Sequence, residues 1–353
     1  VFAGPRQFFA GWRGLGWFWL CIAVLAVVGG VALQLIGPPA PSALRLAANQ
    51  AALPPVRSAT EPKQPVPRQA VNALPGPRPG RDTPGPIADP DPALLEPAQG
   101  SPSDLLPRIA ADGRMPMQVY AAGFDSSTRR PRVGLLLAGV GLNQADSEAA
   151  IRLLPGGVTL AISPYAPDPA KLLGAARSAE HEYLVSIPME PQGFPLNDPG
   201  KQALMTSLSV EQNSSRLEWA LSRFAGYAGA VGAEGRLRGE RFASLPEEIN
   251  PVLAELARRG LLYVDPRPGA APLPLVWSRR VDLVIDEPGA AADIDDKLAR
   301  LARLAREQGS ALGFAGAVRP VTTQRLAAWA NGLAADGLAL APVSALVQAP
   351  AAQ

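Results

Sequence analysis

One cysteine and one histidine in 353 residues remove several chemistries at once. Cys21 lies inside an apolar stretch near the N-terminus, where it reads as a small buried hydrophobe. The rest of the chain therefore has neither a disulfide nor a thiol nucleophile. His181, alone, cannot build a zinc site from several imidazoles. Lysine is scarce, no basic block stands out and the formal charge is only +2, which argues against nucleic acid as a partner. A Ser/His/Asp triad, a P-loop and a GxGxxG fingerprint are also missing.

What is present begins with a long apolar run. Residues 15–36 carry no charge, about 22 residues or roughly 33 Å of helix, which matches a bilayer core. Trp12, Trp17 and Trp19 cluster at one end, as in an interfacial belt. Arg6 and Arg13 precede the run and the next charge is Arg45, so the positive-inside rule places residues 1–14 in the cytoplasm and the rest outside. The expectation is a single-pass inner-membrane protein with a periplasmic C-terminal domain. A cleaved signal peptide is the rival reading. Its apolar region is usually only about 7–15 residues long, and Ala40-Pro-Ser42 is a poor cleavage site. Bulky Leu20 before Cys21 argues against a lipoprotein.

Residues 37–105 are proline-rich, as in Pro75-Gly-Pro-Arg-Pro79 and Asp89-Pro-Asp-Pro92, and have no aromatic residue. Such a segment cannot bury enough apolar surface to offset the entropy of ordering it. A disordered tether with polyproline II character is expected, followed by a protease-resistant core starting between residues 107 and 132.

Residues 106–348 have a different texture, ahead of a short tail at 349–353. Apolar runs at 133–137, 158–162, 183–187, 229–233, 261–264, 281–285, 311–314 and 338–341 alternate with helical patterns near 144–154, 169–179, 210–224, 246–259, 291–308 and 322–335. Asp168-Pro169 reads as an N-cap followed by an N1 proline. Ser209-Val-Glu-Gln212 and Ser244-Leu-Pro-Glu247 fit the capping box. Gly260 and Gly309 read as helix stops. The alternation implies an α/β fold, a (β/α) barrel of seven or eight mostly parallel strands, preceded by one transmembrane helix and a disordered linker. Ligands of such sheets sit at the C-terminal ends of the strands.

Read together, those strand ends resemble the divergent polysaccharide deacetylase family. The matching pieces are Gly134-Leu-Leu-Leu-Ala-Gly-Val-Gly141, Val158-Thr-Leu-Ala-Ile-Ser-Pro-Tyr165 and His181-Glu-Tyr-Leu-Val-Ser-Ile-Pro-Met-Glu-Pro191 with Asn197-Asp-Pro-Gly200. Further on come Gly260-Leu-Leu-Tyr-Val-Asp265, Val284-Ile-Asp286 and Gly309-Ser-Ala-Leu-Gly313, and upstream Gly113-Arg-Met-Pro-Met-Gln-Val-Tyr120. The resemblance implies a deacetylase-like barrel and a link to envelope carbohydrate. It also implies a divalent metal held by one Asp and two His, beside an Asp base and a His acid. Here the pattern departs. Ala138-Gly139 stands where related sequences have Asp-Asp. Glu234-Gly-Arg-Leu-Arg-Gly239 and Gly316-Ala-Val-Arg-Pro320 stand where they have histidines. His181 falls at the opposite end of its strand and reads as structural.

Some polar residues remain at the strand ends. Glu190 can bond a sugar hydroxyl or cap loop amides. Asp265 and Asp286 can do acid/base work or hold Mg²⁺ or Ca²⁺, and helix capping and an Arg267 ion pair explain them equally well. Arg236, Arg238, Arg241 and Arg319 gather where the histidines are lost, and arginine recognises carboxylate or phosphate in a bidentate way. The plainer reading has them paired with Glu234, Glu240 and Asp286. The expected function is a membrane-anchored, catalytically degenerate, deacetylase-like envelope protein that binds peptidoglycan, another glycan or an envelope protein, with no cofactor. The alternative is a metal-dependent deacetylase with an atypical carboxylate site.

Overall fold

The computed structural model describes residues 19, 22, 24, 79–82, 85–98 and 101–350. The chain divides into two units, residues 1–71 and 72–353. Of the first, only Trp19, Ile22 and Val24 are described, each helical and exposed. No helix of the described residues is long and apolar enough to cross a membrane. The expected cytoplasmic start (1–14), nearly all of the membrane run (15–36), the first half of the linker and the last residues of the tail lie outside the described residues.

The second unit begins earlier than the expected boundary at 106. A 3-10 turn at Pro92–Leu94 leads into an antiparallel hairpin of β1 (Leu95–Ala98) and β2 (Ser101–Pro107). Leu94 and Leu106 are fully buried. Arg259 holds the hairpin, donating to the Pro107 carbonyl at 2.8 Å and to Glu96 at 3.0 Å. The end of the proline-rich stretch is thus part of the fold: these few apolar residues find a ready-made surface on the barrel, which composition alone does not reveal. After α1 (Pro116–Val119) come β3 (Arg132–Val140), α2 (Gln144–Leu153), β4 (Thr159–Ile162), α3 (Pro169–Ser178) and β5 (Tyr183–Ser186). They are followed by α4 (Val210–Ser222), β6 (Gly229–Val231), α5 (Glu240–Ala243), α6 (Pro246–Arg258) and β7 (Leu262–Asp265). The rest is β8 (Ser278–Arg280), β9 (Leu283–Val284), α7 (Ala291–Gln308), β10 (Ser310–Ala315), α8 (Pro320–Gly332) and β11 (Ala339–Leu340).

All strands of the main sheet pair in parallel, in the order β8-β7-β6-β5-β4-β3-β10-β9. The two edge strands are consecutive in the chain, with only Val281 and Asp282 between them. Val281 donates to the Asp265 carbonyl on β7 at 2.9 Å, and Asp282 donates to the Leu312 carbonyl on β10 at 2.9 Å. The run 278–284 is therefore one kinked strand whose first half bonds β7 and whose second half bonds β10, and it joins the sheet's two ends. Asp282 fixes the kink, accepting from Leu312 N at 2.7 Å and from Arg279 at 2.5 Å. The expected strand at 281–285 is this segment, split and starting earlier. β11 adds a short pairing to the start of β3.

Side chains of β3 alternate between two clusters. Val133, Leu135 and Leu137 face the helices, while Leu136 and Ala138 join Ala161, Leu184, Val264, Leu312 and Phe314 inside the curled sheet. A sheet covered on both faces reads as a continuous apolar run, which is why these strands were legible. On α7 the buried positions 294, 298, 301, 302 and 305 form one helical stripe, and Gly309 (φ 81°) ends it. Ser209 makes the expected capping box with Gln212. The second expected box does not form: α6 starts after Leu245, and the Ser244 hydroxyl donates to the Arg241 carbonyl at 2.8 Å.

The end of the barrel opposite the strand C-termini is sealed around Glu182, which is fully buried. Its Oε1 accepts from Thr159 Oγ1 at 3.2 Å and Ser344 N at 3.1 Å, and its Oε2 from Ala122 N at 3.2 Å. Burial pushes its acid up, opposed by those donors. His181 beside it is buried, its ring nitrogens 2.8 Å and 3.1 Å from the Val158 and Ile151 carbonyls. Its role is structural, as its position in the sequence indicates.

Two outcomes follow from this packing. Limited proteolysis of the full chain, read by mass spectrometry, should leave a core that begins ahead of residue 87, not between 107 and 132. Glu182→Ala should cost about 3 kcal/mol or more in urea unfolding, because three buried donors lose their acceptor.

Candidate functional site

The mouth of the barrel is formed by the loops that leave the C-terminal ends of the strands. Its carboxylates are mostly committed to holding those loops. Asp286 follows β9 and is buried; its oxygens accept from Gly316 N at 3.0 Å and Ala317 N at 2.9 Å. Burial raises its acid and the two amides oppose the rise. Asp265 ends β7 and is held by Arg267 in a two-pronged pair, Nε to Oδ1 at 2.9 Å and Nη2 to Oδ2 at 2.7 Å. Glu190, after β5, accepts from both the amide and the hydroxyl of Thr206 at 2.7 Å, and its other oxygen meets Arg241 at 3.1 Å. These are the loop-capping and ion-pairing roles weighed from sequence.

The four arginines do not form one cluster. Arg241 goes to Glu190. Arg236 and Arg238 both reach Glu287 Oε1, at 3.4 Å and 2.8 Å, and Arg238 also meets Glu240 at 3.4 Å. Arg319 caps the start of α8 and is exposed, its Nη1 lying over Gly289 of the same loop as Glu287. Its side chain has no acidic partner among the described residues. Of the expected partners only Glu240 is used; Asp286 is bonded to amides, and Glu234 is bonded to none of the arginines. Glu287, at one of the expected strand ends, is the partner that sequence reasoning did not assign to these arginines. Three arginines thus border one short loop that carries one rim acid.

Glu234 is the unexpected feature. It is 7% exposed, and neither carboxylate oxygen has a hydrogen-bond partner. Burial pushes its acid up to about 7. The Ser163 hydroxyl is near enough to oppose that rise without completing a bond. The backbone explains why the arginines two and four residues on do not help. Glu234 and Leu237 exchange amide bonds at 2.8 Å and 3.0 Å around Gly235 (φ 55°), and this tight turn sends Arg236 out to the rim. From the sequence, the visible signal was an acid ending an apolar strand and followed by glycine. Beside it, Tyr165 packs on Trp219 with ring centroids 5.2 Å apart, and Arg223 lies over the same indole.

Loop backbones fill the space between these groups. A Cβ on Gly139 would lie 3.3 Å from the Gly316 carbonyl and 3.4 Å from Gly235 Cα, and one on Gly316 would lie 2.8 Å from Arg236 Cα. The donor set does not suit the divalent metal that the resemblance implies. Ala138 and Gly139 offer no ligand atom, and the acids at three other strand ends are bonded to amides and arginines. No group of three or more His, Cys, Asp or Glu suited to a metal occurs among the described residues. A groove of about 240 Å³ lies elsewhere, between α4 and α6 on the helical exterior, and holds no residue of the strand ends.

A parallel barrel whose strand C-termini carry several acids and arginines is an α/β barrel of the kind that the resemblance implies. The model of one family, the divergent polysaccharide deacetylases, matches residues 135–347, and the chain belongs to that family. Its fold is similar to the crystal structure of an uncharacterized protein from Agrobacterium tumefaciens, at 31% identity and a TM-score of 0.64, over 69% of this chain and 99% of that one. Tryptophan synthase of Mycobacterium tuberculosis also matches, over 59% of this chain and 93% of that one. At 15% identity and a TM-score of 0.29 it carries no argument. No curated protein matches.

The buried acid has a measurable signature. Glu234 ionises near 4.5 when unfolded and near 7 when folded. The folded state is therefore unpenalised below about pH 4.5 and loses stability as pH rises through 7, by roughly 3 kcal/mol in all. Unfolding measured from pH 4.5 to 8 should show that loss in the native protein and a flatter profile in Glu234→Gln.

Proposed function

We propose that this protein is a membrane-anchored envelope protein whose barrel binds an anionic glycan without hydrolysing it. Residues 15–36 anchor it in the inner membrane as a single pass, and the proline-rich stretch holds the barrel out in the periplasm. The observation that carries the binding reading is the cationic rim: Arg236, Arg238 and Arg319 around the Glu287–Gly289 loop, with Arg319 lacking an acidic partner among the described residues. An exposed guanidinium next to two others suits a carboxylate, and peptidoglycan supplies carboxylates in a periplasmic setting. An envelope protein with an acidic surface is the other partner of the same chemistry.

Hydrolysis is disfavoured on chemical grounds. Opening an amide at neutral pH needs an activated water and stabilisation of a developing oxyanion, and a bound metal supplies both. Without one, a placed carboxylate base and an oxyanion hole are required. Asp265, Asp286 and Glu190 spend their lone pairs on arginines and loop amides. A base on β3 is missing, since Ala138 and Gly139 stand there.

No acetate should be released from acetylated chitooligosaccharides or peptidoglycan, with or without added Zn²⁺ or Co²⁺. Carboxylate-bearing peptidoglycan fragments should bind, with Arg319→Ala weakening them about tenfold and added salt weakening them further. Metal-dependent acetate release that disappears in Asp265→Ala or Asp286→Ala would promote the deacetylase reading instead.

A further inference from the structure

The rim arginines leave Glu234 unused, and its situation is the reverse of theirs. It sits in the same tight turn as Arg236, at the inner end of the mouth, as a carboxylate with both oxygens unpartnered and 7% exposed. A buried carboxylate without a partner is costly, and such sites persist where a ligand completes them. Every nearby arginine that pairs at all is taken by another acid: Arg236 and Arg238 by Glu287, Arg241 by Glu190, Arg267 by Asp265. Of the neighbouring groups only the Ser163 hydroxyl reaches towards it, and it completes no bond, so a further donor is needed from outside. It must be a hydrogen-bond donor, and it gains most if it carries positive charge. Leu142, 56% exposed, packs its Cδ1 against Gly235 and Gly139 on the outer side of this point. Ser163 Oγ, already accepting the Tyr165 amide at 3.1 Å, faces the same place, and the Tyr165–Trp219 pair gives it an aromatic wall.

We propose that the mouth is a two-part site for zwitterions, in which Glu234 takes a primary ammonium group while the rim arginines take a carboxylate on the same ligand. The second half rests on the reading of the rim given above; the first half stands on Glu234 alone. Two sources carry this chemistry: an amino sugar acid with a free amine, and the free amino end of a short peptide. An N-acetylated sugar fits the rim but leaves Glu234 unpaired, so the site prefers the free amine over its acetylated form. Glu234 binds an ammonium only when ionised. Of the other titratable groups at this end, Tyr165 is kept neutral by burial, Asp286 is bonded to two amides, and Glu190, Asp265 and Glu287 each have an arginine. The preference for the amine should therefore grow as pH rises through the ionisation of Glu234.

Calorimetric titration of the full chain in detergent, at pH 6 and pH 8, tests this with four probes. They are muramic acid, N-acetylmuramic acid, chitosan oligosaccharide, which has amines without carboxylates, and D-alanyl-D-alanine. Muramic acid should bind at least fivefold more tightly than its N-acetyl form at pH 8, and the ratio should fall several-fold at pH 6. In Glu234→Gln the ratio should approach one at both pH values, with N-acetylmuramic acid unaffected; an unchanged unfolding cooperativity shows that the barrel is intact. Arg319→Ala should weaken both muramic forms equally. Chitosan binding without a need for carboxylate would confine the site to its ammonium half and overturn the two-part form. Tighter binding of D-alanyl-D-alanine than of muramic acid assigns a peptide end as the source. Equal affinity for the free and acetylated sugars at pH 8, or a preference that survives Glu234→Gln, overturns the proposal. In either case N-acetylmuramic acid binding that still depends on Arg319 leaves the anionic-glycan function standing.

Discussion

Glu182 ties together three parts of the chain that lie far apart in sequence. Its carboxylate lies at the sealed end of the barrel and takes bonds from residue 122 of the upstream segment, residue 159 at the start of β4 and residue 344 near the C-terminus. Thr159 extends the arrangement by accepting from Val343 N at 3.0 Å. A buried carboxylate is tolerated only when its lone pairs are filled. The converse also holds: once the carboxylate is there, the three segments have one arrangement that fills it. The upstream segment and the turn after the last strand are therefore fixed in part by polar geometry, while apolar burial alone leaves their docking less specified.

The other end of the barrel shows the same residue type without the same satisfaction. Glu234 has comparable burial and no formed bond, and its acid rises to about 7. One fold thus contains a filled buried carboxylate at its closed pole and an empty one at its open pole. Burial raises the acid of both, so each lowers stability as pH rises, but the first has three donors that oppose the rise. This unmet polarity at the strand C-termini is the observation on which the proposed ammonium site rests.

The barrel strands were legible because a sheet buried on both faces leaves unbroken apolar runs, and the main helices because their buried stripes have a clear period. Three features resisted the same reasoning. The hairpin at 95–107 is hidden in a proline-rich background, since its stability comes from Arg259 and the barrel surface and not from its own composition. The strand at 278–284 is half polar because Arg279 and Asp282 fix its kink, so only its apolar second half showed. Ser244 matched a capping pattern but was drawn into the preceding turn. At the mouth, charge balance suggested that Glu234 would neutralise its neighbours in sequence. Pairing is decided by where the turn sends each side chain, and the turn at Gly235 separates Glu234 from Arg236.

The glycines of the mouth bear on why the chemistry implied by the family does not fit this chain. Gly139 near the end of β3, Gly235 in the turn after β6 and Gly316 after β10 bring their backbones close together, and a Cβ on Gly316 would not fit 2.8 Å from Arg236 Cα without displacement. In a metal-dependent barrel the centre of the mouth must be left open for an ion, with side chains reaching inward from several loops. Here the loops themselves have closed in, and the amides of Gly316 and Ala317 occupy the oxygens of Asp286. Glu234 escapes because its own turn holds it beneath the contact point of the glycines, where no loop amide reaches it. What survives at this end is a single inner acid and a basic rim, an arrangement suited to holding charge of both signs at once.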